Sequence, residues 1–127
     1  MNHQTSIQPW LTINRGEEAI NFYKSAFNAT ETFRMQDPGG GLVVRLSING
    51  AEFWISSESA SQTTASPLAT NNIRMILVVD NPKAVFNKAI AAGASEIFPV
   101  REEFGWLAGK LSDPFGLHWE IGHELKR

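Results

Sequence analysis

The sequence predicts an α+β fold in which two β-α-β-β-β modules form a curled, mixed sheet of eight strands with a central cleft. Apolar periodicity gives the order strand, helix and three strands, and this order occurs twice along the chain. The two halves also share residues at an offset of 65 positions, as in Ala19 with Ala84 and Phe33 with Phe98. A length of 127 residues suits one compact domain. Together these observations indicate an internal repeat within a single domain.

The predicted domain covers residues 1–127, with the first module over about 5–57, a linker over 58–71 and the second module over 72–123. The stretch from Ser56 to Asn72 is rich in Ser, Thr, Ala and Asn and contains one proline. Such a composition is typical of a connection between two structured units or of a mobile flap.

In the first module, Ile7–Asn14 is predicted as a strand, and Pro9 places it at an edge or at the start of its pairing because proline cannot donate a ladder hydrogen bond. Apolar residues at helical spacing then predict an amphipathic helix that ends near Asn28. The Asn49-Gly50 pair predicts a tight hairpin. Three strands complete the module: Thr30–Gln36, Leu42–Ile48 and Glu52–Ile55.

The second module begins with a strand over Ile73–Val79. Asp80-Asn81-Pro82 then predicts a helix start, because a capping side chain precedes a proline that suits the first turn. Gly93 is expected to end this helix. The remaining strands are predicted at Ser95–Val100, Trp106–Ser112 and Leu117–Gly122, with a turn at 113–116 before the last one.

Composition excludes several classes of function. With 11 basic and 13 acidic residues, the formal charge is −2, so nucleic acid and anionic membranes are not expected partners. The chain has no cysteine, which rules out disulfides and thiolate metal sites. The polar stretch from Met1 to Gln8 lacks an apolar signal core, and no apolar run is long enough to span a bilayer. We therefore expect a cytoplasmic protein.

Three segments resemble the vicinal-oxygen-chelate superfamily of glyoxalases, bleomycin-resistance proteins and dioxygenases. Glu-Glu-Ala-Ile-Asn-Phe-Tyr-Lys-Ser-Ala-Phe at 17–27 resembles its first helix, most closely in the branch that looks like PhnB. Asp-Pro-Phe-Gly-Leu-His-Trp-Glu-Ile-Gly at 113–122 resembles its closing turn and strand, and 78–94 resembles the start of its second module. The resemblance implies the two-module fold, whereas one scaffold of this kind hosts many activities.

The resemblance also implies four positions at which metal-dependent members hold a divalent ion. By position they fall on Gln8, Trp54, Glu120 and either Arg74 or Ile73. Gln8 and Glu120 have ligand oxygens, whereas an arginine is a permanent cation and tryptophan offers no lone pair. Two ligands fall short of the three that a catalytic zinc site takes from the protein.

Two hypotheses therefore stay open. In the first, the cleft binds a small organic molecule without the usual complete metal site, through Gln8, Trp10, Arg45, Glu52, Trp54, Arg74 and His118. In the alternative, the chain is a divalent-metal-dependent lyase, isomerase or dioxygenase with Gln8, His118 and Glu120 as ligands and Glu120 as the catalytic proton carrier.

The charged candidates have a plainer interpretation as well. Glu120 is either a carboxylate of the cleft or the ion-pair partner of Arg74. Arg45 and Arg74 either bind an anion together or neutralise Glu52 and Glu120. Trp119, by contrast, suits the core. The family also implies a homodimer, because open clefts of this fold are often completed by a partner chain.

Overall fold

The computed structural model describes residues 4–57 and 73–125, and the predicted linker lies outside this part. The order β-α-β-β-β occurs twice, as predicted. The first occurrence comprises β1 (Trp10–Thr12), α1 (Gly16–Phe27), β2 (Thr30–Gln36), β3 (Leu42–Ile48) and β4 (Ala51–Ser57). The second comprises β5 (Arg74–Val78), α2 (Pro82–Ala92), β6 (Ser95–Glu103), β7 (Trp106–Ser112) and β8 (His118–Glu124). In the described residues, neither helix is long and apolar enough to cross a bilayer.

The eight strands form two mixed sheets of four, in the orders β1-β4-β3-β2 and β5-β8-β7-β6. Within each module, the first and last strands along the chain pair in parallel: β1 with β4, and β5 with β8. The other strand pairs are antiparallel. The curled sheet of the prediction is therefore divided in two. The edge strands are β1 and β2 in the first sheet and β5 and β6 in the second, and in the described residues no ladder joins one sheet to the other.

The helix ends follow the signals in the sequence. Asn28 ends α1 in the left-handed conformation, with φ of 58°. The side chain of Asn81 accepts a hydrogen bond from the backbone N–H of Ala84 at 3.2 Å, and Pro82 occupies the first turn of α2. Gly93, with φ of 125°, ends α2.

The core of the two modules meets around Trp119 on β8, which is buried as predicted. Its ring lies 4.7 Å from that of Phe27 and 5.5 Å from that of Tyr23, between centroids, and both partners belong to α1. Phe53 on β4 completes the cluster at 5.9 Å. Aromatic packing at these distances stabilises the contact between the modules beyond burial alone.

Asp113, in the turn before β8, is a buried carboxylate with four hydrogen-bond donors. Its Oδ2 accepts from the Tyr23 hydroxyl at 2.6 Å and from the Trp119 indole N–H at 3.0 Å. Its Oδ1 accepts from the backbone N–H groups of Phe115 and Leu117 at 2.9 and 3.0 Å. Because Tyr23 comes from the other module, this carboxylate joins the two halves and shapes the last turn at once.

An ion-pair network on the first module makes stability depend on acid pH. Arg34 contacts Glu17 at 2.7 Å and Glu31 at 2.8 Å, and Lys24 contacts Glu31 at 2.8 Å. Hydrogen bonds from Arg34 and then from Lys24 lower the pKa of Glu31 from 4.5 to about 2. The stabilisation is therefore complete above pH 4.5 and is lost as the pH falls toward 2. Melting temperatures between these values should fall less steeply for Glu31→Gln and Arg34→Met than for the wild type, and equal slopes would contradict the assignment.

Candidate functional site

The first sheet has one face packed on α1 and an open face on its other side. Side chains alternate along each strand, so Phe53 and Ile55 of β4 are buried while Glu52 and Trp54 lie on the open face. The same alternation places Arg45 of β3 between two buried neighbours and on the open face. The structure thus brings five of the predicted cleft residues to one surface: Gln8, Trp10, Arg45, Glu52 and Trp54.

A row of four side chains crosses this open face from edge to edge: Phe33, Arg45, Trp54 and Trp10. We call it the aromatic row, because three of its four members are rings. Each member pairs in register with the next across the four strands. The rings of Trp10 and Trp54 stack, with centroids 5.6 Å apart and planes 18° apart. The Arg45 guanidinium lies 5.2 Å from the centre of the Trp54 ring, and the Phe33 ring lies 5.7 Å from it. Trp10 nevertheless stays 55% exposed and Phe33 42% exposed.

Gln8 and Glu52 lie beside the row and, together with Arg45 of the row, form a polar group that we call the polar clasp. The Trp54 indole N–H donates to Gln8 Oε1 at 2.8 Å, and Gln8 Nε2 donates to Glu52 Oε1 at 3.3 Å. Glu52 Oε2 lies 3.3 Å from Arg45 Nε, which also donates to the Thr32 hydroxyl at 2.8 Å. These contacts hold the polar side chains against the edge of the aromatic row.

Two hollows flank the aromatic row along the strand direction. One, of about 640 Å³, includes Gln8 and Glu52 in its lining together with Ile76 and Trp119, so it lies at the boundary of the two modules. The other, of about 600 Å³, lies beside Trp10 on the opposite side of the row. Both volumes fall within the range that suits a small organic molecule.

The remaining predicted residues form a separate group on the second sheet. Arg74 Nε contacts Glu120 Oε2 at 2.9 Å, and Arg74 pairs in register with His118. Glu120 also lines a hollow of about 320 Å³ together with Phe98 and other side chains of β6 and β7. Within the described ranges, no hydrogen bond or ion pair joins this group to the polar clasp. The pairing of Arg74 with Glu120 and of Arg45 with Glu52 matches the plainer interpretation of these charges.

The four positions at which metal-dependent members of the family hold a divalent ion form two contacting pairs here. Trp54 donates to the Gln8 oxygen, and Arg74 forms an ion pair with a Glu120 oxygen. In the described part of the chain, no three His, Asp or Glu side chains come together as a metal site. At the four family positions the side chains therefore do not fit a catalytic zinc ion, since an indole N–H is bonded to the Gln8 oxygen and a guanidinium lies against one Glu120 oxygen.

Sequence reasoning missed two contributors to this region. Phe33 joins the aromatic row only because a bulge in β2, between Glu31 and Phe33, shifts the register with β3. Thr32 anchors Arg45 from the same bulge. Strand alternation alone does not reveal a bulge, although the match of Phe33 with Phe98 at the repeat offset marked the position.

Comparison with known proteins agrees with this architecture. An uncharacterised protein of Mycobacterium tuberculosis is 29% identical over 133 aligned residues, which cover 99% of this chain and 78% of the relative. The crystal structure of an Arabidopsis thaliana gene product is 26% identical, with a TM-score of 0.71 over 95% of this chain and all of that one. The fosfomycin resistance protein FosX of Listeria monocytogenes, 12% identical, shares the fold with a TM-score of 0.74 over 96% and 95% of the two chains. The model of the Glyoxalase/Bleomycin resistance protein/Dioxygenase superfamily matches residues 2–121, and the chain belongs to that family.

Proposed function

We propose that this protein binds a small organic molecule on the open face of its first sheet, beside the aromatic row, without a complete metal site. The observation that carries the proposal is the stacked pair Trp10 and Trp54, in which the Trp10 ring stays 55% exposed although its packing on the half-buried Trp54 ring fixes it in place. Stacked, partly exposed indoles next to hydrogen-bonding groups favour flat organic ligands. A contiguous apolar surface of this kind is typical of a binding site.

The expected gain from covering this surface is appreciable. Burying about 100 Å² of indole surface under a ligand ring contributes about 2.5 kcal/mol to binding. The indole N–H groups need no partner from the ligand, because Trp10 donates to the Ser56 hydroxyl at 2.9 Å and Trp54 donates to Gln8. The two rings are thus held in place with the Trp10 ring exposed, which lowers the entropy lost on binding.

The metal-dependent alternative stays a prediction from the family. It requires Gln8, His118 and Glu120 to converge, whereas Gln8 is engaged on the first sheet and Glu120 on the second. Assignment to the PhnB-like branch and a cytoplasmic location also remain predictions.

A homodimer accompanies the proposal, as the family implies. Ile76 and Val78 on the edge strand of the second sheet are exposed by 56% and 63%, and Phe104 at the β6–β7 turn by 95%. An apolar surface of this extent is typical of a protein contact. Sedimentation equilibrium should give twice the chain mass of 14.1 kDa, and the single mass would contradict the dimer.

Thermal melts test the binding proposal with defined probes. We expect 2-naphthamide and 2-naphthoate to raise the melting temperature at millimolar concentration, and cyclohexanecarboxamide to have a much smaller effect. The rise should be lost in Trp10→Ala, whose own melting temperature provides the baseline. Zinc, nickel, manganese and iron(II) in parallel samples test the alternative. A shift with metal but with none of the aromatic probes would overturn the proposal.

A further inference from the structure

In the polar clasp, the amide and carboxylate oxygens all have partners, whereas N–H groups of Arg45 have none among the described residues. Both oxygens of Glu52 are engaged, Oε1 by Gln8 and Oε2 by Arg45. The Gln8 oxygen is engaged by Trp54. Arg45, by contrast, makes its side-chain hydrogen bond within the described residues from Nε, to the Thr32 hydroxyl, and its shortest contact with Glu52 is also from Nε. Among the residues that the structure describes, no hydrogen bond engages its two terminal nitrogens, which a ligand could therefore use.

The difference from other arginines supports this interpretation. Arg34 donates four hydrogen bonds to Glu17 and Glu31 through Nε and both terminal nitrogens, so four of its five N–H groups are engaged. Arg45 is held by its inner nitrogen and by its contact with the Trp54 ring, which leaves the outer fork of N–H groups fixed in direction. A fixed guanidinium fork matches the two oxygens of a carboxylate.

We infer that the ligand of the aromatic row is a planar aromatic acid, with its ring on the Trp10–Trp54 pair and its carboxylate on the Arg45 fork. This inference rests on the proposed function and names the chemical class of its ligand. A cation is disfavoured because Glu52 has no oxygen left without a donor and because Arg45 would repel it. A neutral aromatic would stack equally well but would leave the fork without an anionic partner.

A substitution at Glu52 distinguishes an anionic ligand from a cationic one. Its carboxylate balances the charge of Arg45 and therefore competes with an incoming anion. Replacing Glu52 by glutamine removes the competing charge and keeps a similar shape. The variant should bind an aromatic acid more tightly than the wild type does, whereas an aromatic cation would bind it more weakly.

Isothermal titration calorimetry with 2-naphthoate and its uncharged counterpart 2-naphthamide provides the experiment. We expect 2-naphthoate to bind the wild type about tenfold more tightly than 2-naphthamide, and Arg45→Met to remove this difference. Arg45→Lys should restore part of it, since lysine keeps the charge but not the fork. Glu52→Gln should strengthen 2-naphthoate binding about threefold and leave 2-naphthamide unchanged.

Arg101→Met is the matched control. The Arg101 guanidinium also lies over an aromatic ring, 4.4 Å from the centre of Phe98, and contacts Glu103 at 3.0 Å, but on the second sheet. This variant should bind 2-naphthoate as the wild type does. Equal binding of acid and amide that still requires Trp10 would overturn the acid class and leave the proposed function standing. Failure of both compounds to bind, in variants and wild type that melt normally, would overturn both.

Discussion

Replacing Asp113 by alanine should lower the free energy of unfolding by about 4 kcal/mol. The substitution leaves the Tyr23 hydroxyl, the Trp119 indole N–H and the backbone N–H groups of Phe115 and Leu117 without their acceptor. These groups surround a side chain that is only 4% exposed, so water does not readily replace it. The loss is a large part of the stability of a domain of this size. Urea unfolding followed by tryptophan fluorescence measures it directly.

One further variant, Tyr23→Phe, separates the parts of this network. Tyr23→Phe removes one of the four donors and should cost about 1.5 kcal/mol. Burial, and then the charge of Asp113, raise the pKa of Tyr23 well above its ordinary value of 10. Because the folded chain holds this proton more tightly, wild-type stability should fall as the pH rises above 10, and Tyr23→Phe should remove that fall. A loss below 1 kcal/mol for Asp113→Ala would contradict the account of the buried carboxylate.

Replacing Trp54 by alanine should weaken the binding of 2-naphthoate about thirtyfold, which corresponds to about 2 kcal/mol. The variant removes one member of the stacked pair and also the donor that holds the Gln8 oxygen. The ring also supports the Arg45 guanidinium, so its loss releases the fork as well. Titration calorimetry on the purified variant gives the affinity, and its melting temperature shows whether it folds.

Trp54→Phe and Trp106→Ala are the controls for this result. Phenylalanine keeps a ring for stacking but cannot donate to Gln8, so the loss should be about fivefold. Trp106 lies on the second sheet and lines the hollow beside Glu120, so its replacement should leave affinity unchanged. A loss with Trp106→Ala equal to that with Trp54→Ala would place the ligand elsewhere.

Many element bounds followed from the sequence, because local signals determine them. The first strand is nevertheless shorter than the predicted Ile7–Asn14, and β6 extends beyond the predicted Ser95–Val100. The predicted strands Thr30–Gln36, Leu42–Ile48 and Trp106–Ser112 coincide with the observed ones, since each is bounded by residues that favour turns. Asn28 and Gly93 ended the helices as expected. The fold class followed from the repetition of this order.

Contacts between distant strands were less accessible from the sequence. Alternation placed Trp54 and Glu52 on one face, but whether a donor or a ligand oxygen faces Gln8 depends on the register of β1 with β4. The turn at Asp113 was predicted without chemistry, whereas its role in joining the modules depends on Tyr23, 90 positions away. Nothing local in the sequence signals a hydrogen bond of that range.

The indole N–H resonances of the chain's four tryptophans test the central claim most directly. They report three locations: Trp10 and Trp54 on the open face of the first sheet, Trp106 on the second sheet and Trp119 in the core. On titration of ¹⁵N-labelled protein with 2-naphthoate, we expect the signals of Trp10 and Trp54 to move together, and those of Trp106 and Trp119 to stay in place. Movement of the Trp106 signal alone, or of none of the four, would contradict a binding site on the aromatic row.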